Sequence, residues 1–375
     1  MGMFLERLAE RYTNEKELAK GGAGVIFKAE GVEDKKLYVI KIFDINKIRN
    51  NIKEDTVRRL GMSKEAIASQ ILEEMLKNNK RIKEIMEERK GEEGWDNIKY
   101  IVEVGDENAP YVVTEYIRYN LREYMSIKGR IDPHQALRIV LDVATALKFV
   151  HESTKDSEHP IIAHTDVCPE NIYIDVDERG EIKAVKLGDF DGAWTPGMSV
   201  ELAMFHLDYK PPEAESEKFE PSEKFDVYSL GVILAELIGG EDAKKWVKKG
   251  IVIDKLREYE ELLKKSVAFY KDRMTIDEFI EKVESISPVT VIIKKSIKEL
   301  CEEWLNTLEY YKKHYKERPI PVSQENMLRS ISSKFDELMD LWREKSFPRL
   351  KPLINEIRGD LESLKEEMHE STRSK

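Results

Sequence analysis

The sequence predicts an α+β molecule: a strand-rich first part, a mostly helical body and a helical extension at the C-terminus. Three observations carry this expectation. Residues 12–43 alternate in the manner of strands around a glycine turn, with Gly21, Gly22 and Gly24 at its centre. Beyond residue 60, apolar residues recur at helical spacing in three long stretches, opened by Ser63, Asp132 and Asp226. After Ser287-Pro288 come three amphipathic segments divided by proline breaks. Strands gathered early and helices gathered late are the mark of α+β chains.

Taken in order, Tyr38-Val39-Ile40-Lys41-Ile42-Phe43 is a β-rich run with a single cation inside it. A lysine flanked by apolar strand residues must find an anion or lie at an edge. Ser63 to about Met86 places Ile67, Ile71, Met75, Ile82 and Ile85 near one helix face, with Glu65, Glu73 and Glu74 as candidate partners for Lys41. Glu65 fits best, because Ala68, Ser69 and Leu72 follow at the offsets where the helix packs inward. Residues 77–96, rich in Lys and Glu, read as an elongated helix or an insertion. Tyr111–Ile117 reads as a strand running into a linker, and Glu181–Lys186 as another strand. Asp132 caps a helix carrying Leu137, Val140, Val143, Ala144, Leu147 and Val150. In the extension, one stripe runs through Ile293, Ile297, Leu300, Trp304, Leu308, Tyr311 and Tyr315 and ends at Pro319 and Pro321. A second runs through Leu328, Ile331, Phe335, Leu338 and Trp342 and ends at Pro348. The third comprises Leu350, Leu353, Ile354, Ile357, Leu361 and Leu364. Short connections predict antiparallel neighbours, hence three helices in a bundle or layer, with a groove for a protein partner as the alternative use of the apolar face.

Composition narrows the function classes. A net charge of −11 and a pI of about 5.4 argue against nucleic-acid or anionic-membrane binding. No apolar run approaches the roughly 18 residues of a membrane span, and neither a signal peptide nor a myristoylation pattern opens the chain. Cys168 and Cys301 are isolated in sequence and form no metal or redox pair there, so a reducing cytoplasm is expected. Gln occurs three times while Lys and Glu are abundant, a bias similar to that of thermophilic prokaryotes.

The chemistry concentrates in His164-Thr165-Asp166-Val167-Cys168-Pro169-Glu170-Asn171 and, eighteen residues on, Asp189-Phe190-Asp191. A carboxylate five residues before an amide, with a second carboxylate beyond an intervening strand, supplies the groups that phosphoryl transfer needs: a base near the acceptor hydroxyl and two metal ligands. These residues resemble the catalytic loop and metal-binding turn of the eukaryotic-type Ser/Thr protein kinase family. The resemblance covers residues 12–287 and implies a bilobal fold, with a β-sheet lobe of one main helix (about 12–114) and a helical lobe (about 118–287), followed by the helical extension at 288–375. It implies Asp166 as base, Asn171 and Asp189 as ligands of Mg²⁺ (Mn²⁺ as an alternative), and Lys41, braced by the helix carboxylate, as the residue that orients the ATP phosphates. Gly21, Gly22 and Gly24 would approach those phosphates. Leu18, Ile26, Val39, Thr114 and Tyr173 would line the base pocket, with the backbone of Glu115 and Ile117 bonding adenine. Asp226 would hold the catalytic-loop backbone, and Arg273 would brace Glu213.

Several positions depart from the family. Ala19 replaces the first loop glycine, Val39 an alanine, and Asp191 the glycine after Asp-Phe. Thr165 replaces the arginine that docks a phosphorylated activation loop, so activity should not require phosphorylation of Thr195 or Ser199. Cys168 replaces a lysine, and His206 replaces the threonine that would touch it. The paired change makes His206 the candidate carrier of the missing positive charge, with Asp166 expected to be ionised across the range in which a histidine titrates. Three function classes follow: an active protein kinase with a protein substrate, a nucleotide-binding pseudokinase scaffold, and a small-molecule kinase. Retention of Lys41, Asp166, Asn171 and Asp189 speaks against the second, and Glu213, Asp226 and Arg273 against the third.

Overall fold

Strand β1 (Tyr12–Lys20) opens a five-stranded antiparallel sheet, continued by β2 (Gly24–Gly31), β3 (Leu37–Phe43), β4 (Ile101–Gly105) and β5 (Tyr111–Glu115) in the spatial order β1-β2-β3-β5-β4. This is a computed structural model of the 375-residue chain, and it describes residues 8–105, 109–129, 131–198, 206–215, 220–286, 288–316, 319–343 and 347–373. Two compact units result, Met1–Glu284 and Ser285–Lys375.

In the first lobe, alternation along β3 decides what faces the cleft. Ile40 and Ile42 turn into a small core with Ala29, Tyr111 and Val113, which leaves Val39 and Lys41 on the opposite face. Pairing of Lys41 with Ile26 and Val112 fixes that choice, since a slip of one residue would bury the cation in the core. One main helix is expected here, but two short ones precede it: α1 (Ile45–Asn51) and α2 (Glu54–Leu60). Asp44 caps α1, accepting from Asn46 N at 2.9 Å, and Gly61 at φ 62° ends α2. Each has seven residues, and only Ile48 is buried between them, so neither leaves a periodic stripe in the sequence. The main helix α3 (Lys64–Glu88) starts at its Ser63 cap and buries Ile67, Met75, Ile82 and Ile85 as expected, together with Asn78 and Asn79.

The second lobe begins with β6 (Tyr119–Asn120), α4 (Leu121–Lys128) and α5 (Pro133–Thr154), the last capped by Asp132. Strands β7 (Ile172–Val176) and β8 (Ile182–Leu187) form an antiparallel pair that positions the chemistry. Ile172 faces Leu187, and Gly188 N donates to Asn171 O at 3.0 Å. The eighteen-residue spacing is therefore one hairpin, with Asn171 and Asp189 at its open end. Helix α6 (Glu223–Gly239) is buried from Phe225 to Ile238, and α7 (Glu241–Val247), α8 (Glu260–Ser266) and α9 (Ile276–Ile286) complete the unit.

The second unit holds α10 (Pro288–His314), α11 (Val322–Arg343) and α12 (Phe347–Arg373). Leu300, Tyr311, Ile331, Leu338, Leu350, Ile357 and Leu361 share one core. Ion pairs of Lys334 with Glu356 and Asp360, and Ser323 Oγ bonding Glu367, show α11 and α12 antiparallel. Two details correct the expected stripes. Leu308 is 40% exposed, off the buried face. Pro348 falls within the first turn of α12 instead of ending α11, a place where proline sacrifices no helical hydrogen bond. The side chains of Ile293 and Trp342 lie outside the described residues. Among the described residues, no helix is long and apolar enough to cross a membrane.

Candidate active site

Between the two lobes of the first unit, Lys41 meets the turn at Asp189-Phe190-Asp191. Its Nζ lies 3.0 Å from both oxygens of Asp189 and 2.5 Å from Asp191 Oδ2. Burial alone would pull the Lys41 pKa down, but the charges of Asp189 and Asp191 outweigh it and raise it. Asp189 is held below the usual carboxylate range, its burial overcome by Lys41, whereas burial and the neighbouring Asp189 charge push Asp191 up. Asp189 sits at φ 62°, in the left-handed region, which turns its carboxylate back toward the strand lysine.

The expected Lys41–Glu65 pair is not formed. Glu65 has 68% of its side chain exposed and lies 3.7 Å from Arg49 on α1. Its position in the first turn of α3, next to the two inserted helices, carries it away from β3. Glu73 pairs with Lys77, and Glu74 with Lys77 and His159, so neither alternative reaches Lys41 either. Helix α3 contributes amides in their place. Asn79 Nδ2 donates to Asp191 Oδ1 at 2.7 Å, and Asn78 Nδ2 to Ala193 O at 2.8 Å. The replacement of glycine by Asp191 thus becomes intelligible: it is the carboxylate between Lys41 and the helix. Two adjacent amides inside the buried stripe of an amphipathic helix were the available signal, since buried amides need partners.

The catalytic loop is built from the opposite side. Asn171 Nδ2 donates to Asp166 Oδ2 at 2.8 Å and to Asp166 O at 2.9 Å. Asp226, fully buried in α6, accepts from His164 N at 2.8 Å and Thr165 N at 2.9 Å, the backbone brace expected of it. His164 donates from Nε2 to Gly188 O at 3.1 Å and stacks edge-on against Phe190. Arg273 Nη1 stands 2.6 Å from Glu213. Arg122 and Glu236 escaped the sequence reading. Arg122 bonds Glu170 at 2.9 Å and Glu236 at 2.7 Å, while Glu236 takes the Tyr209 hydroxyl at 2.5 Å. A single glutamate in the otherwise apolar run from Leu230 to Ile238 of α6 was the trace of this network.

Asp166 is not the simple ionised carboxylate expected. Burial, then the charge of Asp189, push its pKa up to about 7. His206 Nε2 lies 4.0 Å from Glu170, and one donor atom each from Cys168, Glu170 and His206 fall within 4.8 Å of one another. The fold thus gathers the two departing positions around Glu170. Cys168 is buried, and its thiol is pushed up by that burial and by Asp166 and Glu170.

Leu18, Ile26, Val39, Lys41, Thr114, Ile117, Tyr173 and Asp189 line a cavity of about 320 Å³. Gly21, Gly22 and Gly24 line an adjoining one of about 560 Å³, which shares Ile26, Lys41 and Asp189 with the first. Gly21 N donates to Gly24 O at 3.0 Å and so closes its own turn. A Cβ on Gly24 would come within 1.9 Å of Ile42 O, which makes strand contact the reason for that glycine. Lys47 and Asn51 of α1 bond Gly24 O and Gly22 O, each at 2.9 Å. The Glu115 side chain accepts from Tyr100 N at 2.7 Å and Lys186 at 2.8 Å.

A family model of the protein kinase domain matches residues 12–310. The chain belongs to the protein kinase family. The match reaches past the expected domain end at 287 into α10. The kinase is similar to the serine/threonine-protein kinase PrkC of Bacillus subtilis, 29% identical over 38% of this chain and 21% of that protein. It is also similar to a Wee1-like protein kinase of Arabidopsis thaliana, 38% identical over 30% of this chain and 20% of the relative. A probable serine/threonine-protein kinase PknB of Lactococcus lactis is 24% identical over 62% of this chain and 32% of its own length. The chain thus spans about a fifth to a third of these relatives.

Proposed function

We propose that this kinase transfers the γ-phosphoryl group of Mg·ATP to Ser or Thr hydroxyls of a protein. The observation that carries the reading is the convergence of Lys41, Asp166, Asn171 and Asp189 in one cleft, each with a separate task. When bound, Mg·ATP supplies the transferable phosphoryl group and the charge that spreads over its oxygens. A carboxylate and an amide oxygen are the hard donors that Mg²⁺ takes, which suits Asp189 and Asn171 to hold it. Lys41, now neutralising Asp189, would orient phosphate oxygens, and Asp166 would accept the proton of the acceptor hydroxyl. The buried Glu213–Arg273 pair and the Asp226 brace support a protein acceptor over a small molecule. Cys168 and Cys301, isolated in sequence, support an enzyme of the reducing cytoplasm, and the Gln-poor composition a heat-stable one.

Within this reading His206 supplies the positive charge lost with the lysine at position 168. His206→Ala should slow transfer by roughly 10- to 1,000-fold, the span for losing one electrostatic donor to a transition state, and Cys168→Lys in that background should restore part of it. Purified protein incubated with labelled ATP, Mg²⁺ and a generic acceptor tests the whole proposal. Nucleotide binding without label transfer, in the presence of several acceptors, would make the chain a pseudokinase. Full activity in His206→Ala would leave that histidine a bystander.

A further inference from the structure

A lysine stands where the base of a nucleotide would lie. Lys99, two residues before β4, is only 6% exposed. Its N–H donates to Leu187 O at 2.8 Å, which ties it to the end of β8. Its ammonium lies 3.8 Å over the ring of Tyr173, in the same cavity as Val39, Thr114 and Ile117. Among the described residues no oxygen accepts a hydrogen bond from that ammonium, whose donors open onto the cavity and are left for what enters it. Burial pulls its pKa down to about 8, opposed by the charges of Asp189 and Glu115 and aided by Lys41. The neighbouring backbone is shaped to admit it: a Cβ on Gly188 would come within 3.0 Å of both Lys99 Cδ and Tyr173 Cε2. A side chain serving only to fill this space would gain by being apolar.

We propose that Lys99 reads the edge of the nucleotide base and admits purine triphosphates with a C6 carbonyl, GTP and ITP, as phosphoryl donors alongside ATP. The inference rests on the nucleotide cleft described above and adds the identity of the base. An ammonium offers three donors and no acceptor. Guanine and hypoxanthine present two acceptors on one edge, N7 and O6, whereas adenine presents N7 beside an amino donor. A buried ammonium satisfies itself against the first pair and opposes the amino group of the second.

The test is calorimetric binding of ADP, GDP and IDP, each with Mg²⁺, to the full chain and to Lys99→Met. The wild type should bind GDP and IDP within about tenfold of ADP. Lys99→Met should lose GDP and IDP by roughly ten- to a hundredfold, the worth of one hydrogen bond to a charged group, and hold ADP as well or better. IDP separates the carbonyl from the 2-amino group of guanine. Lys99→Gln, whose amide can turn either an oxygen or an NH₂ to the base, should level the three and keeps the test alive if the methionine variant fails to fold. An equal loss of all three nucleotides, or a wild type that binds ADP and rejects GDP and IDP, overturns the proposal. Binding of none would overturn the cleft itself, and the base reading with it.

Discussion

The two halves of the cleft are assembled by different rules. On the acceptor side, Asp166, Asn171, Asp226 and the Glu213–Arg273 pair stand where motif spacing put them. On the nucleotide side, Lys41 has exchanged its expected helix glutamate for Asp191, and α3 reaches the site through Asn78 and Asn79. In the acceptor half, the side chains of Asn171 and Asp226 bond backbone groups of one loop, whose end the β7–β8 hairpin fixes, so their place follows from the path of the chain. The nucleotide half depends on side chains from β3, α3 and the metal turn meeting across distance, where a partner can be replaced without moving the backbone.

The largest effect expected is on the acceptor side. Asp166→Asn should abolish transfer while nucleotide affinity stays near wild type, because in the proposed reading this carboxylate serves the acceptor hydroxyl and not the phosphates. A parallel loss of affinity, seen by calorimetry, would give Asp166 a structural role and erase the contrast between the halves. Asp189→Asn should come next, weakening Mg²⁺-dependent nucleotide binding, since it removes the charged group proposed to hold a hard cation. Unchanged Mg·ATP binding by that variant would refute the metal assignment.

The comparison is sharpened by a pair of variants. Asp191→Asn should lower turnover by roughly ten- to a hundredfold, since it removes a charged acceptor from Lys41. Glu65→Gln should change turnover less than about twofold, as expected of an exposed ion pair. Equal losses in the two would mean that the working enzyme swings Glu65 onto Lys41 after all.

The smallest effect expected on catalysis, though measurable, concerns stability. The Lys99 pKa falls from 10.5 to about 8 on folding. Between those values the unfolded chain binds more protons than the folded one, so wild-type stability should rise with pH across that window. The unfavourable term is fully present below pH 8. At pH 7, Lys99→Met should therefore be more stable by on the order of 3 kcal/mol, and the wild-type thermal midpoint should climb relative to the variant's from pH 8 to 10. Parallel curves would show that Lys99 is adequately solvated.

What the sequence disclosed follows the same division. Periodicity located β3, α3, α5 and the three helices of the extension, because each buries one regular face. It missed α1 and α2, which bury a single residue between them. The spacing of Asn171 and Asp189 was legible because strand pairing turns a count of residues into a distance. Glu65 misled because helical offsets say which face is buried but not which end of α3 approaches β3. Asp191 looked like a loss of flexibility when read alone, and only its neighbours Lys41 and Asn79 give it a task. Lys99 left no pattern, being a single polar residue between Ile98 and Tyr100.

Thr165 replaces the arginine that would dock a phosphorylated loop, and it turns inward at φ 65° to bond Gly192 O at 2.8 Å. Thr195, the nearest described candidate for modification, is 3% exposed, while Ser199 lies outside the described residues. Switch kinases keep a covalent record of having been turned on, and that record outlasts the stimulus. A kinase that needs no loop phosphate, as proposed for this one, would have no such memory. Its output at any moment would track how much enzyme, nucleotide and acceptor are present.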